Sequence, residues 1–191
     1  MRIVGINGPE VERALVAGEL DCPCCGHRLV PWGWGGWRSV RLWGGVEERR
    51  RPRRSRCSSC RVTHVLLWAD TLLRRRDGVW VIGAALTARA RGMSIGKVAA
   101  AVPGVAFSTV RGWVRRFAVN AEGVRVRFTV LAHDLDPLLA PVRPAASTVG
   151  DAVEAIGVAA QAAARRLGPV DAWSFAASGS GGRLLANTGC P

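Results

Sequence analysis

Two Cys-x-x-Cys pairs constrain this chain more than any other feature of its sequence. They are Cys22/Cys25 and Cys57/Cys60. A gap of two residues lets one turn of backbone direct both sulfurs at a single ion, and zinc prefers four thiolates in a tetrahedron. The sequence therefore predicts one four-cysteine zinc site that holds a small ribbon of β hairpins together.

The chain has six cysteines, so two are left over. Cys24 could replace Cys25 as a ligand, but a one-residue gap from Cys22 suits a metal-binding turn less well, and its contribution stays open. For Cys190 we expect no role. We find no secretory signal and no apolar stretch long enough to span a bilayer, so we expect a cytoplasmic, nucleoid-associated protein without membrane contact. In a reducing cytoplasm such pairs indicate metal binding rather than disulfides.

The positive charge lies in the middle of the chain. The formal net charge is +13, from 27 basic and 14 acidic residues, and residues 79–120 contain no acidic residue at all. A localised excess of this kind indicates a polyanionic partner, most often nucleic acid. Within the ribbon we expect an arginine-rich hairpin to clamp phosphates, although a solvated hairpin edge is the alternative. Its arginines are Arg49, Arg50, Arg51, Arg53, Arg54 and Arg56.

Beyond Asp77, a predicted N-cap, the pattern becomes helical. Apolar spacing predicts a helix at 78–91, a second that opens at Ser94, a stop at Pro103-Gly104, and a third helix, Ser108–Phe117. Two short amphipathic helices joined by a Pro-Gly turn after an opening helix form a helix-turn-helix pattern.

The third helix carries the predicted recognition surface. Guanidinium groups on its polar face can bind guanine edges or phosphates in the major groove. Trp113 and Phe117 we assign to the core. The predicted DNA-binding residues of this region are Lys97, Ser108, Thr109, Arg111, Arg115 and Arg116.

The C-terminal third has no net charge, and its sequence indicates less about function. Arg125–Ala132 reads as a strand or as a continued helix. An Ala-rich helix opens with a capping-box variant at Thr148-x-x-Asp151, with Thr148 as the N-cap, and closes at Gly168-Pro169. The fold class we predict is α+β: a zinc ribbon, a helix-turn-helix domain and this Ala-rich helix. The predicted parts are an arm with a helix (1–21), the ribbon (22–70), the helix-turn-helix (77–120), a helical region (121–173) and a flexible tail (174–191).

Two histidine-containing features could suggest further chemistry. His133, Asp134 and Asp136 could hold a hard metal ion, as in a nuclease, but no third well-placed acidic group accompanies the pair of aspartates, and a helix boundary explains them. His64 lies in a predicted strand beside the second cysteine pair. Four thiolates already fill a tetrahedral site, so we expect no metal role for it.

Three motifs together resemble the N-terminal region of bacterial insertion-sequence transposases. They are the Cys-Pro-x-Cys turn at residues 22–25, the Arg-x-Arg-Cys-x-x-Cys approach at 54–60, and the helix-turn-helix C-terminal to them. The whole chain resembles small zinc-ribbon plus helix-turn-helix proteins associated with mobile elements. In full-length transposases, three acidic residues of a ribonuclease-H-like domain perform strand transfer. This sequence departs from that pattern, because only six acidic residues follow Asn120 and no run of strands is predicted to hold them. The resemblance therefore implies DNA binding without catalysis, and a separate recombinase would supply the chemistry.

The leading interpretation is a non-enzymatic, zinc-stabilised binder of double-stranded DNA, acting as a transposase accessory or a transcriptional regulator. The alternative is an interaction module that docks a recombinase or RNA polymerase and binds nucleic acid without sequence preference. A homodimer is compatible with either. The target sequence, the oligomeric state and the role of the C-terminal helix stay open.

Overall fold

Strands dominate the N-terminal part of the chain, up to Trp68, and helices dominate the part from Val79 to Gly179. The computed structural model describes residues 1–140 and 142–186. The strands are β1 (Arg2–Val4), β2 (Leu29–Trp34), β3 (Arg38–Arg41), β4 (Glu47–Arg50), β5 (Arg53–Cys57) and β6 (Thr63–Trp68). The helices are α1 (Gly8–Ala17), α2 (Val79–Ala90), α3 (Ile95–Ala100), α4 (Phe107–Leu135), α5 (Thr148–Leu167) and α6 (Ala172–Gly179). The predicted mixed α+β class is confirmed.

The cysteine-bearing part is built on a four-stranded sheet of order β1-β6-β5-β2. β1 runs parallel to β6, whereas the β6–β5 and β5–β2 pairs are antiparallel. β3 and β4 form a separate antiparallel ribbon, joined by a short 3-10 turn at Trp43–Gly45. Alternation along β6 turns His64 and Leu66 to the same buried side.

A small core closes the ribbon region. α1 covers one side of it, with Asn7 capping its first turn and Gly18 ending it in a left-handed conformation at φ 74°. The buried residues are Val4, Leu15, Cys22, Leu29, Cys57 and Leu66. Two of these six are predicted metal ligands, so a metal centre would be part of this core.

The helices share a second, larger core. The buried face of α4 recurs every three or four residues: Val110, Trp113, Phe117, Ala121, Val124, Phe128 and Ala132. α5 packs along α4 through a face made mostly of alanine, which lets two helix backbones approach closely. The assignment of Trp113 and Phe117 to the core is confirmed, since they are 2% and 0% exposed.

The structure corrects four details of the sequence prediction. The third helix continues through Phe117 to Leu135, so Arg125–Ala132 is helical and the predicted boundary at residue 120 falls inside α4. Asp77 does not cap α2; Gly78 holds that position, and Asp77 pairs with Arg41 at 3.0 Å.

The N-cap of α5 is Ser147 rather than Thr148. The prediction of a flexible tail is wrong for residues 174–186, because α6 and the buried Leu184 and Leu185 pack into the helical core. Pro141 and residues 187–191, which include Cys190, lie outside the described part.

Candidate functional site

The two cysteine turns have the same backbone structure. The amide of Cys22 donates to the carbonyl of His27, and the amide of Cys57 donates to that of Val62, five residues on in each case. In each turn the amide two residues after the first cysteine lies 3.4 Å from that cysteine's sulfur. The fifth residue has positive φ in both turns, 74° at Gly26 and 63° at Arg61. Each turn therefore directs its two sulfurs to one side.

The turns bring four thiols together. The sulfurs of Cys22, Cys25, Cys57 and Cys60 all lie within 4.8 Å of one another. Cys22 Sγ is 3.7 Å from Cys60 Sγ, and Cys25 Sγ is 3.4 Å from Cys57 Sγ. A tetrahedron with Zn–S bonds near 2.3 Å has S···S edges of about 3.8 Å. None of the described cysteines forms a disulfide, so this cluster could hold a metal ion.

Four thiols this close cannot all ionise by themselves, because thiolates repel one another. Desolvation opposes ionisation of Cys57, but hydrogen bonds from the amides of Ser59 and Cys60 and from the Cys25 thiol lower its pKa to about 6. The Val62 amide favours the Cys60 thiolate, yet desolvation and the neighbouring thiols raise the Cys60 pKa to about 12. A divalent cation among the sulfurs would supply the charge that lets all four ionise.

His64 is a buried neighbour of the cysteine cluster. This contact was not predicted from the sequence. It is 1% exposed, and its Nε2 atom lies 3.4 Å from Cys22 Sγ. Cys22, Cys24 and His64 form a second group of potential ligands within 4.8 Å. Burial, the N-terminal charge and Arg2 lower the pKa of His64. Strand alternation was the available signal, because it places His64 on the same side as the apolar Leu66.

Two arginines of the predicted phosphate clamp make internal ion pairs. Arg50 Nη1 donates to both carboxylate oxygens of Asp70, at 2.8 and 2.6 Å, and Nη2 pairs with Glu48. Arg53 binds both carboxylate oxygens of Glu12, at 2.8 and 3.0 Å, and donates from Nη1 to the Gly33 carbonyl. Both guanidinium groups are thus engaged by the protein itself.

The other clamp arginines are less constrained. Arg51 is exposed and donates from Nε to the Gly35 carbonyl at 3.0 Å, and Arg56 donates from Nε to the Arg61 carbonyl at 3.1 Å. Arg54 is half-buried and Arg49 is exposed.

Three exposed tryptophans of the ribbon each carry an arginine against the ring. The distances from guanidinium carbon to ring centroid are 4.6 Å for Arg56/Trp32, 4.8 Å for Arg53/Trp34 and 5.5 Å for Arg49/Trp37. Arg53 and Arg56 are three residues apart on β5, so strand alternation places the Trp34 and Trp32 contacts on opposite sides of the sheet. The pairing follows partly from the β2–β5 register, which places Trp34 opposite Arg53.

The predicted recognition residues lie at the start of α4. Ser108, Arg111 and Arg115 are exposed, whereas Thr109 and Arg116 are half-buried. Lys97 is exposed on α3, separated from α4 by the Pro103-Gly104 turn. Four of the six predicted DNA-binding side chains of this region are therefore exposed, and two are half-buried.

A cavity of about 470 Å³ joins the start of α4 to the ribbon region. Burial and the charge of Arg116 lower the pKa of Arg75, the direction expected where cations are crowded. The predicted DNA-binding residues did not include Arg41 or Arg74–Arg76, although the run of three arginines is visible in the sequence between the predicted ribbon and helix-turn-helix. The lining residues are Arg41, Arg74, Arg75, Arg76, Asp77, Ser108, Thr109, Trp113 and Arg116.

The His133, Asp134 and Asp136 group forms no ligand cluster. Asp136 is paired with Arg165 at 2.7 Å, and among residues 1–140 and 142–186 the groups close enough to ligate an ion all come from the cysteine region.

The fold and the cysteine cluster together define a mixed α+β protein with a four-cysteine centre that could hold a metal ion. No protein-family model, no curated protein and no solved structure matches this chain. Within the described ranges, no helix combines the length and apolar character needed to pass through a bilayer.

Proposed function

We propose that this protein is a zinc-stabilised, non-enzymatic binder of double-stranded DNA. The observation that carries the proposal is the cavity at the start of α4, where arginines from the ribbon region and the polar face of the helix meet on one basic surface. Nucleic-acid backbones attract such surfaces because each phosphate carries a negative charge.

In this proposal, one group of side chains contacts base edges and a second group contacts phosphates. Arg111 and Arg115, exposed on the first three turns of α4, reach base edges in the major groove. Arg74 and the half-buried Arg116 contact phosphates. Arg50 and Arg53, which the sequence analysis assigned to phosphates, hold the ribbon together instead, because Asp70 and Glu12 engage them.

Zinc is the metal that four cysteine thiolates fit best, with the ligands Cys22, Cys25, Cys57 and Cys60. Its role would be structural. All four coordination positions are taken by protein sulfur, so the ion has no open position for a substrate. It would fix the ribbon and, through the Arg41–Asp77 contact that links β3 to the segment before α2, one wall of the basic cavity.

The first experiment selects bound duplexes from a random DNA pool with zinc-loaded protein at near-physiological salt. A recovered motif supports sequence recognition, and a palindrome within it indicates a dimer. Arg111→Ala should then relax base preference at one position, at about 1–3 kcal/mol. Arg74→Ala should weaken binding to all duplexes alike and reduce the salt slope by about one unit.

Arg166→Ala is the matched control, because this exposed arginine lies on α5, outside the cavity lining. Equal effects of all three changes would show that DNA responds only to net charge and would refute recognition by α4.

The alternative function, docking of a recombinase, RNA polymerase or a second copy, has its own supporting observation. α4 exposes a line of valines, Val119, Val126 and Val130, which are 81%, 47% and 54% exposed. Their spacing of seven and four residues places them on one side of the helix. Sedimentation of the wild-type chain and of Val126→Asp tests this surface, since a dimer that depends on it should dissociate in the variant.

A further inference from the structure

The two cysteine turns and the strands that follow them match position by position. The amides of Cys24 and Ser59 occupy equivalent places, each 3.4 Å from the sulfur of the first cysteine in its turn. Seven residues after that cysteine stand Leu29 in one half and His64 in the other, 0% and 1% exposed. The fold therefore accepts serine where the first turn has Cys24. It likewise accepts leucine where the second half has His64.

These two exceptional side chains meet beside one atom, the sulfur of Cys22. His64 Nε2 is 3.4 Å from Cys22 Sγ, and the ligand atoms of Cys22, Cys24 and His64 all lie within 4.8 Å of one another. Around a tetrahedral zinc ion with Zn–S bonds of about 2.3 Å and Zn–N bonds of about 2.0 Å, the S···N edge is about 3.5 Å. The three atoms are therefore close enough to form three corners of a second coordination tetrahedron.

The His64 ring is held in the orientation that such a site needs. Its Nδ1 atom lies 2.8 Å from the backbone nitrogen of Met1, which leaves Nε2 directed at the sulfur of Cys22. Histidines that bind metals commonly have a hydrogen-bond partner at the second ring nitrogen, because that contact fixes the ring. Cys24 is exposed, so an ion can reach the buried His64 from solvent along this thiol.

The charge of the cysteine cluster favours a further cation. Four thiolates around one divalent ion leave two negative charges in excess, and a Cys24 thiolate would add another. The Cys22 sulfur keeps lone pairs after it binds one ion, so it can bridge to a second. Two thiolates and an imidazole form a ligand set that suits zinc and other soft ions, whereas magnesium and calcium require oxygen ligands.

We propose that Cys22, Cys24 and His64 bind a second Zn²⁺ ion, which the Cys22 sulfur bridges to the ion of the four-cysteine site. The inference rests on that proposed site, because Cys22 belongs to both. With three protein ligands, the second ion has an open coordination position and exchanges more readily than the first. The ribbon thus holds one structural ion and one exchangeable ion.

The test is equilibrium dialysis of the full chain against Zn²⁺, followed by measurement of the metal content per chain. We expect two ions in the wild type and one in each of Cys24→Ser and His64→Leu, which introduce the side chains of the equivalent positions. His27→Gln is the control and should keep two ions, because His27 is an exposed histidine of the first turn outside the ligand group. Circular dichroism checks that each variant is folded.

Cadmium NMR of the Cd²⁺-loaded chain identifies the ligands. Two resonances are expected, one from an ion with four sulfur ligands and one from the mixed site, and Cys24→Ser should remove only the second.

One ion in the wild type, or two ions in folded Cys24→Ser, would overturn this inference and leave the four-cysteine site standing. No ion in the wild type would overturn both. DNA binding is measured separately, so its absence would reject the proposed function without affecting the count of ions.

Discussion

Replacing Arg50 with alanine tests whether this arginine stabilises the ribbon rather than contacting DNA. Its guanidinium donates to both carboxylate oxygens of Asp70, whose side chain is 2% exposed. Removing one partner of a buried ion pair costs about 3–5 kcal/mol, because the other charge stays desolvated without compensation. We expect the free energy of unfolding to fall by about that amount and Tm to fall by on the order of 10 °C.

The assay is urea unfolding of the metal-loaded protein followed by circular dichroism, with Arg49→Ala as the matched control. Arg49 is exposed, and its aromatic contact with Trp37, 5.5 Å away, is worth about 0.5–1 kcal/mol. The double variant Arg50→Ala/Asp70→Ala should recover part of the loss, because no unpaired charge remains buried.

The pH dependence of stability gives an independent check on the Arg50 contacts, through its second partner Glu48. The hydrogen bond from Arg50 lowers the pKa of Glu48 below its ordinary value of 4.5. A carboxylate whose pKa is lower in the folded state contributes stability above the unfolded value, and that contribution disappears as pH falls through the folded value. Glu48→Gln should therefore flatten the stability profile below about pH 5, by a small amount because the carboxylate is half exposed.

The reasoning would be refuted if Arg50→Ala lost less than about 1 kcal/mol, like Arg49→Ala, or if the Arg50 and Asp70 effects simply added. Arg50 would then be available for phosphate contact, as the sequence suggested.

Four further predictions concern packing and the candidate metal centre. Chelating the metal should unfold the ribbon, seen as lost strand signal and a lower Tm, because the ligands form part of its small core; an unchanged Tm would contradict this. Gly83→Ala should destabilise by about 1–3 kcal/mol, since the new methyl group would collide with the Trp173 ring. Gly157→Ala, which faces open space within α5, should instead stabilise by about 0.5–1 kcal/mol. Arg61→Gly should stabilise by about 1 kcal/mol in calorimetry, because glycine accepts the φ of 63° without steric cost; a lower Tm would show that the side chain is needed.

Features that depend on neighbouring residues could be read from the sequence. Each cysteine turn needs only two ligands, a tight bend and a residue of positive φ within six positions, so its geometry is set locally. The apolar period of α4 likewise identifies Val110, Trp113 and Phe117 as core. The predicted end of this helix at Phe117 was wrong, although the same apolar period continues through Ala121, Val124 and Phe128 and no proline follows until Pro137.

Features that depend on distant contacts could not be read in this way. The tail after Ser174 has a Gly/Ser-rich composition typical of loose segments, yet Leu184 and Leu185 find space in the helical core and order it. His64 acquires its position only when β6 pairs with β5 and turns it toward Cys22. Strand alternation indicates which side of β6 His64 occupies, but neither its contact with Cys22 nor the packing of Leu184 and Leu185 has a local signature.

The arginines show most clearly which properties of this protein the sequence alone could not determine. Composition and spacing alone determined that a basic protein would gather four cysteines and expose many cations. Only the tertiary structure decided that Asp70 and Glu12 would engage Arg50 and Arg53, and that Arg74–Arg76 would line the cavity at α4. The physical reason is that a side chain's charge is a property of its residue type, whereas its freedom to bind another molecule depends on which groups folding brings within hydrogen-bond distance.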